Sequence, residues 1–240
     1  MKATNKVQVC FSPELYQHFA DDSSIVVVVD IFRATSAICA AFENGVAAII
    51  PVAKIEEALE YKKRGYLAGG ERNGEVQAGF DFGNSPFSYM KPELKGKEIA
   101  LTTTNGTQAI DAARHAYCVV VGSFINLDAL AAWLIKKDRD VLILCAGWKN
   151  RFNMEDSLFA GALTNLLLEG ENYKSDCDSA NASSLVYRTV KRNMMKFLAT
   201  CSHRKRLAHL NLDEDVKFCL TPNQSKVIPV LRDGKLVADY

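Results

Sequence analysis

Ile25-Val26-Val27-Val28-Val29, followed at once by Asp30-Ile31-Phe32-Arg33-Ala34-Thr35-Ser36, decides how the rest of the chain is read. A short apolar run, rich in β-branched residues and bounded by polar ones, reads as a strand buried on both faces. Thr35–Asn44 then carries helix formers and stops at Gly45, a residue suited to the left-handed C-cap of a helix. Strand, polar loop and helix in that order make the first half of a βαβ unit.

The same alternation continues along the chain. Val46–Val52 reads as a strand, Lys54–Arg64 as a charged amphipathic helix ending at Gly65, and Tyr66–Ala68 as a short strand before a polar, glycine-rich stretch from Gly69 to Pro86. Glu98–Thr102, Tyr117–Val121 and Val141–Cys145 read as strands, with helices over Thr107–His115, Leu127–Lys137 and Asp156–Leu168. The tail is expected to hold a long helix over Ser179–Ala199, then strands at Val216–Leu220, Val227–Leu231 and Lys235–Ala238. Arg232-Asp233-Gly234 turns the last two into a hairpin. The expected fold is therefore α/β, a mostly parallel sheet or sheets flanked by helices, with a short antiparallel hairpin at the C-terminus. Two lobes, 1–105 and 106–240, fit the restart of the alternation near Asn105, and one integrated domain is the alternative.

Composition narrows the function. The 240 residues are 48% hydrophobic and 24% charged, which excludes collagen-like, low-complexity and disordered classes. A net charge of +1 provides no bulk field for nucleic acid or anionic lipid, so any anionic partner must be held by a local site. No apolar run approaches a membrane span and no leader pattern opens the sequence, so a cytoplasmic protein is expected. The oligomeric state stays open, a homodimer included. Seven scattered cysteines without a CxxC pair read as reduced thiols rather than a disulfide framework or zinc site. The four histidines lack ligand spacing, and His203, inside the run His203-Arg204-Lys205-Arg206, reads as part of a solvated helix face.

Ligands of parallel sheets bind beyond the carboxyl ends of the strands. The segments there are Asp30–Ser36, Gly69–Gly74, Gly79–Pro86, Thr102–Thr107 and Cys145–Gly147 leading to Glu155-Asp156. Asp30 is a hard oxygen ligand or a nucleophile, or else a helix N-cap. Arg33 can clamp an oxyanion or pair with a neighbouring acid. Thr102-Thr103-Thr104-Asn105-Gly106-Thr107 offers hydroxyls and free N–H groups to an anion, or simply caps a helix. Asp81 can form an Asx turn, Glu71-Arg72 a surface ion pair, and Glu155-Asp156 dipole-favoured acids of a first helical turn. Together the loops put carboxylates suited to Mg²⁺ beside anion donors, which points to phosphoryl chemistry.

Neither GxxxxGK[ST] nor GxGxxG is present, and the DxDxT pattern fails because Phe32 replaces the second Asp and Thr35 falls one place late. Cys145-Ala146-Gly147-Trp148-Lys149-Asn150-Arg151 does fit C-x5-R, the phosphate loop of cysteine phosphatases, though a match arises by chance about one time in three at this composition. A Cys145 nucleophile with Arg151 is the runner-up mechanism, and a non-catalytic small-anion-binding protein is the competing class.

Read together, DIFRATS from Asp30, GER from Gly70, GFDFGNSP from Gly79, TTTNGT from Thr102, CAGWKNRFNMED from Cys145 and DVKFC from Asp215 resemble the ComB family, the 2-phosphosulfolactate phosphatases of coenzyme M biosynthesis. The resemblance spans nearly the whole chain in family order. Asn73, where glycine is common, and the acid-free Thr221-Pro222-Asn223-Gln224-Ser225 depart from the pattern. It implies a Mg²⁺-dependent hydrolysis of a small polyanionic ester to sulfolactate and phosphate. On that reading Asp30, Glu71 and Asp156 are the catalytic residues and metal ligands. Arg33, Thr35, Arg72, Asn84, Thr104, Asn105, Gly106, Thr107 and Gly147 are expected to bind substrate or phosphate.

Overall fold

The computed structural model describes residues 4–240 except 73, 208, 209 and 211, so Asn73 and His209 lie outside the described residues. In chain order the first half holds β1 (Asn5–Cys10), β2 (Ile25–Val29), α1 (Ala34–Glu43), β3 (Ala48–Pro51), α2 (Ile55–Lys63), β4 (Leu67–Arg72), β5 (Glu75–Val76) and β6 (Glu98–Thr102). Then follow α3 (Gly106–Ala112), β7 (Cys118–Gly122), α4 (Leu127–Lys137), β8 (Val141–Cys145), α5 (Met154–Leu168) and β9 (Tyr173–Lys174). The last elements are α6 (Asp178–Val190), α7 (Met194–Leu198), α8 (Ser202–Leu207), α9 (Asp213–Leu220), β10 (Ile228–Arg232) and β11 (Lys235–Asp239).

All the strands join one sheet in the order β5-β4-β6-β3-β11-β10-β7-β2-β8-β1-β9. β4, β6 and β3 run parallel to one another, as do β7, β2, β8, β1 and β9. The C-terminal hairpin lies between these two parallel groups. β10 is antiparallel to β7 through Val230 and Val120, and β11 to β3 through Leu236 and Ile49. The expected hairpin is present, but in the middle of the sheet. Strands from both sides of residue 105 therefore interleave, and position 105/106 falls between β6 and α3.

Both faces of β2 are covered, as its unbroken apolar run requires. Ile25, Val27 and Val29 pack with α4 and α5, while Val26 and Val28 pack with α1 and α3. α1 is buried from Ala34 to Phe42. Four strands separate β6 from β2 in the sheet order, yet the residues after them meet at the N-terminal end of α1.

Three local expectations are corrected. Val216–Leu220 is the end of helix α9, whose first turn holds Asp213, Glu214 and Asp215 and whose buried Val216, Cys219 and Leu220 recur at helical spacing. The long helix over Ser179–Ala199 is two helices, α6 and α7, separated at 191–193, with Asn193 as the N-cap of α7. The strand at Tyr66–Ala68 runs on through the glycines to Arg72. Gly70 permits this, since its φ is +143° and a Cβ would sit 1.9 Å from the Thr102 carbonyl oxygen of β6. No helix among the described residues is long and apolar enough to cross a membrane.

Candidate active site

The carboxyl ends of β2, β4 and β6 converge on a small buried pocket lined by Asp30, Phe32, Arg33, Glu71, Gly74, Asn84, Asn105, Trp148 and His203. Five of these, Asp30, Arg33, Glu71, Asn84 and Asn105, are residues that the sequence singles out. The void is about 20 Å³, room for one water or one ion rather than a three-carbon phosphate ester. A second, mostly apolar cleft lined by Trp133, Asn223 and Tyr240 shares no residue with it.

Asp30 follows β2 directly, and its backbone is fixed by Thr35. Its N–H donates to Thr35 Oγ1 at 3.1 Å and its carbonyl accepts from Thr35 N–H at 3.0 Å. Thr35 is thus buried behind the pocket as a turn-former rather than a substrate contact. The Asp30 carboxylate hydrogen-bonds to no described residue, and burial, with Asp156 next in weight, raises its pKa well above the ordinary value. Glu71 and Glu155 add to that rise, and His203 opposes it.

Glu71 ties two loops together. Its Oε1 accepts from Thr104 N–H at 2.8 Å and its Oε2 from Gly74 N–H at 2.5 Å. Asn105 Oδ1 accepts from Lys149 N–H at 3.1 Å, joining the loop after β6 to the loop after β8. In the expected TTTNGT cradle, Thr104 N–H is spent on Glu71 and Thr107 N–H on Thr103 Oγ1. The Asn105 and Gly106 N–H groups bond to no described residue. Gly106 is sterically required, because a Cβ there would lie 2.8 Å from Ala34 Cβ and 2.9 Å from Asp30 Oδ2. Two buried oxygens near these loops, Asn84 Oδ1 and Thr104 Oγ1, have no hydrogen-bond partner among the described residues, a cost that a bound ligand would remove.

Arg33 is buried and its Nη1 pairs with Asp215 Oδ2, while Nη2 donates to the Gly74 carbonyl at 3.3 Å. Asp215 Oδ1 accepts from Ser85 Oγ at 2.9 Å. The Phe32–Arg33 peptide bond is cis.

The remaining expected residues lie around the pocket rather than in its lining. Arg72 turns away, donating to the Glu71 and Ala53 carbonyls and to Thr102 Oγ1. Gly147 N–H and Asn153 Nδ2 donate to Asp156 Oδ2, and Ile31 N–H donates to Asp156 Oδ1. Asp156, fully buried, is therefore a clamp holding the loops after β2 and β8 together. Burial and neighbouring Glu155 push its pKa up to about 8, against the pull of those donors.

His203 departs most from the sequence reading. It is buried, not on a solvated face, because its Nδ1 meets the buried carboxylate of Glu155. Its ring stands 6.0 Å from both Phe32 and Trp148. Sequence reasoning also missed Trp148 and gave Asp215 no role. Glu155 lies 48 residues before its partner, and the surrounding basic run hides a buried histidine.

Cys145 is core, packed with the residues behind β2, and burial raises its thiol well above the ordinary range. Arg151 is exposed, its backbone closing a tight turn with Trp148. A neutral buried thiol and an outward arginine do not make a phosphate loop. The C-x5-R reading is therefore rejected.

Among the described residues no three His, Cys, Asp or Glu side chains are grouped as a metal-binding set. The donors present still suit a hard cation of the Mg²⁺ type. Asp30 offers an unbonded carboxylate, and Asn84 lines the same pocket with an orphaned amide oxygen. Mg²⁺ ordinarily takes one or two carboxylates and completes its shell with water and phosphate oxygens. Asp156, its oxygens already accepting three donors, is poorly suited to join them.

Comparison with known proteins identifies the family. A protein from Thermotoga maritima named probable 2-phosphosulfolactate phosphatase is 42% identical over 211 residues, covering 88% of this chain and 90% of the relative. Proteins of the same name from Caldanaerobacter subterraneus subsp. tengcongensis and Carboxydothermus hydrogenoformans are 39% and 37% identical, over 87% and 98% of this chain and 88% and 97% of their own lengths. The profile described as 2-phosphosulpholactate phosphatase matches residues 10–234. Relatedness of this extent makes the chain a member of the 2-phosphosulpholactate phosphatase family.

Proposed function

We propose that this chain hydrolyses 2-phosphosulfolactate to sulfolactate and phosphate at the pocket beyond β2, β4 and β6, with Mg²⁺ as its cofactor. The observation that carries this reading is the Asp30 carboxylate, buried without a hydrogen-bond partner among the described residues and sharing its pocket with Arg33. A buried carboxylate of that kind invites a cation, and a buried guanidinium invites an anion.

Asp30 and the Asn84 amide oxygen would hold the Mg²⁺. When bound, the ion supplies Lewis-acid neutralisation of charge on the phosphoryl oxygens. Arg33 is oriented by Asp215, so its guanidinium is already in place when a dianionic phosphate arrives. Glu71 keeps the loops after β4 and β6 at fixed separation and presents the Asn105 side of the pocket. Phosphoryl transfer passes through a loose transition state, so positioning and charge stabilisation carry most of the catalysis. The pocket, as small as one ion, must widen at its mouth to seat the ester.

Phosphate release from 2-phosphosulfolactate and from a panel of phosphorylated hydroxy-acids tests the reading. Turnover of the first, lost in excess EDTA and restored by Mg²⁺, is expected. Undiminished turnover in EDTA would remove the metal from the mechanism, and no turnover of any panel member would remove the enzyme.

A further inference from the structure

We propose that His203, oriented by Glu155, is the proton donor to the leaving oxygen in the hydrolysis proposed above. The inference rests on that reading and adds a residue to it. Three observations meet here. His203 is a buried pocket-lining residue on the same void as Asp30 and Arg33. Its Nδ1 is engaged by Glu155, itself 1% exposed and held in the first turn of α5. The Nε2 edge bonds to no described residue. A carboxylate on one ring nitrogen fixes the tautomer and leaves the other nitrogen to handle protons. Phe32 and Trp148 flank the ring and limit its rotation.

The leaving group makes such a donor useful. Sulfolactate departs through a secondary alkoxide, a strongly basic oxygen that leaves slowly unless it is protonated as the bond breaks. In the proposed step a water oxygen bonds to phosphorus and the ester P–O bond breaks. The departing oxygen takes the imidazolium Nε2 proton and becomes the hydroxyl of sulfolactate. The attacking water keeps one proton as a P–OH and passes the other to a phosphoryl oxygen, so phosphate leaves as its monoanion. The neutral imidazole then recovers a proton from solvent.

The charged and titratable groups around the ring come from several elements. Glu155 and Asp156 belong to α5, Asp30 and Arg33 to the loop after β2, and Glu71 to β4, while Lys149 lies beside Trp148. Of these groups Glu155 hydrogen-bonds the ring, and no hydrogen bond joins His203 to Asp30.

The test compares wild type, His203→Gln and Glu155→Gln on 2-phosphosulfolactate with Mg²⁺, measuring kcat and KM across pH. His203→Gln is expected to lower kcat about 10²–10³-fold with KM changed less than about threefold. The loss of wild-type activity toward alkaline pH should disappear in that variant. Glu155→Gln, which still orients the ring through a neutral amide, is expected to fall less, and again in kcat. A His203→Gln enzyme with wild-type kcat and the same alkaline limb overturns the inference and leaves the phosphatase reading intact. If wild type itself releases no phosphate, the phosphatase reading falls first. Thermal unfolding of each variant guards against misfolding, and if His203→Gln does not melt cooperatively, a Glu155→Gln enzyme with unchanged kcat overturns the inference by itself.

Discussion

A methyl group at Gly106 would stand 2.9 Å from Asp30 Oδ2 and 2.8 Å from Ala34 Cβ, so the start of α3 packs directly against the Asp30 carboxylate and the first residue of α1. Gly106→Ala therefore pushes either α3 or the Asp30 carboxylate out of place. The expected result is a loss of about 1–3 kcal/mol in urea unfolding. Phosphate release should fall by more than that loss of folded protein explains.

Asp30→Asn removes the carboxylate offered for the cation and should abolish phosphate release. It should also stabilise the metal-free fold. Asp30 holds its proton in the folded chain to a pH well above its ordinary value of 3.8, so ionising it costs stability as pH rises above that value. Relief of the cost is absent near pH 4 and grows toward alkaline pH, raising Tm by about 2–4 °C for each kcal/mol relieved. Melting curves in EDTA at pH 4 and pH 8 check the sign, and Mg²⁺ should raise the wild-type Tm but not that of the variant.

Arg33 and Asp215 form a buried ion pair that ties the β2 loop to α9. Asp215→Ala leaves a guanidinium buried without its partner and should cost about 3–5 kcal/mol. Arg33→Met combined with Asp215→Leu should recover most of that stability in urea titrations while remaining inactive, because the anion-binding group is gone.

Cys145→Ser distinguishes a metal route from a thiol route. With Cys145 in the core and its thiol neutral, the variant should keep kcat within a few-fold of wild type. Native enzyme should also resist alkylation at this position, measured by intact mass before and after unfolding.

Much of the fold is legible in the sequence where one pattern dominates. Val26 to Val29, Glu98–Thr102, Leu127–Lys137 and Val141–Cys145 lie where their apolar runs and helical spacing put them. β1 was not read from the sequence: its alternation, Val7-Gln8-Val9, is short and has no βα loop or helix beside it, and its place comes from pairing with β8 on one side and β9 on the other. α9 was misread because its Val216 and Phe218 favour strands, whereas burial of Val216, Cys219 and Leu220 on one helical stripe decides the matter. Asp30, Glu71 and Asn105 were legible as neighbours because parallel strands deliver their carboxyl ends to one edge. His203 and Trp148 were not, since they reach the pocket from beyond β8 and through an ion pair that no local pattern announces.

The two strands at the middle of the sheet are the last described elements to leave the ribosome. β2, β7 and their neighbours can pair early, and so can β3, β4 and β6, but no strand pairing joins the two groups until β10 and β11 arrive. During synthesis both groups wait with a raw edge open to foreign strands, a hazard that ends when the closing hairpin docks.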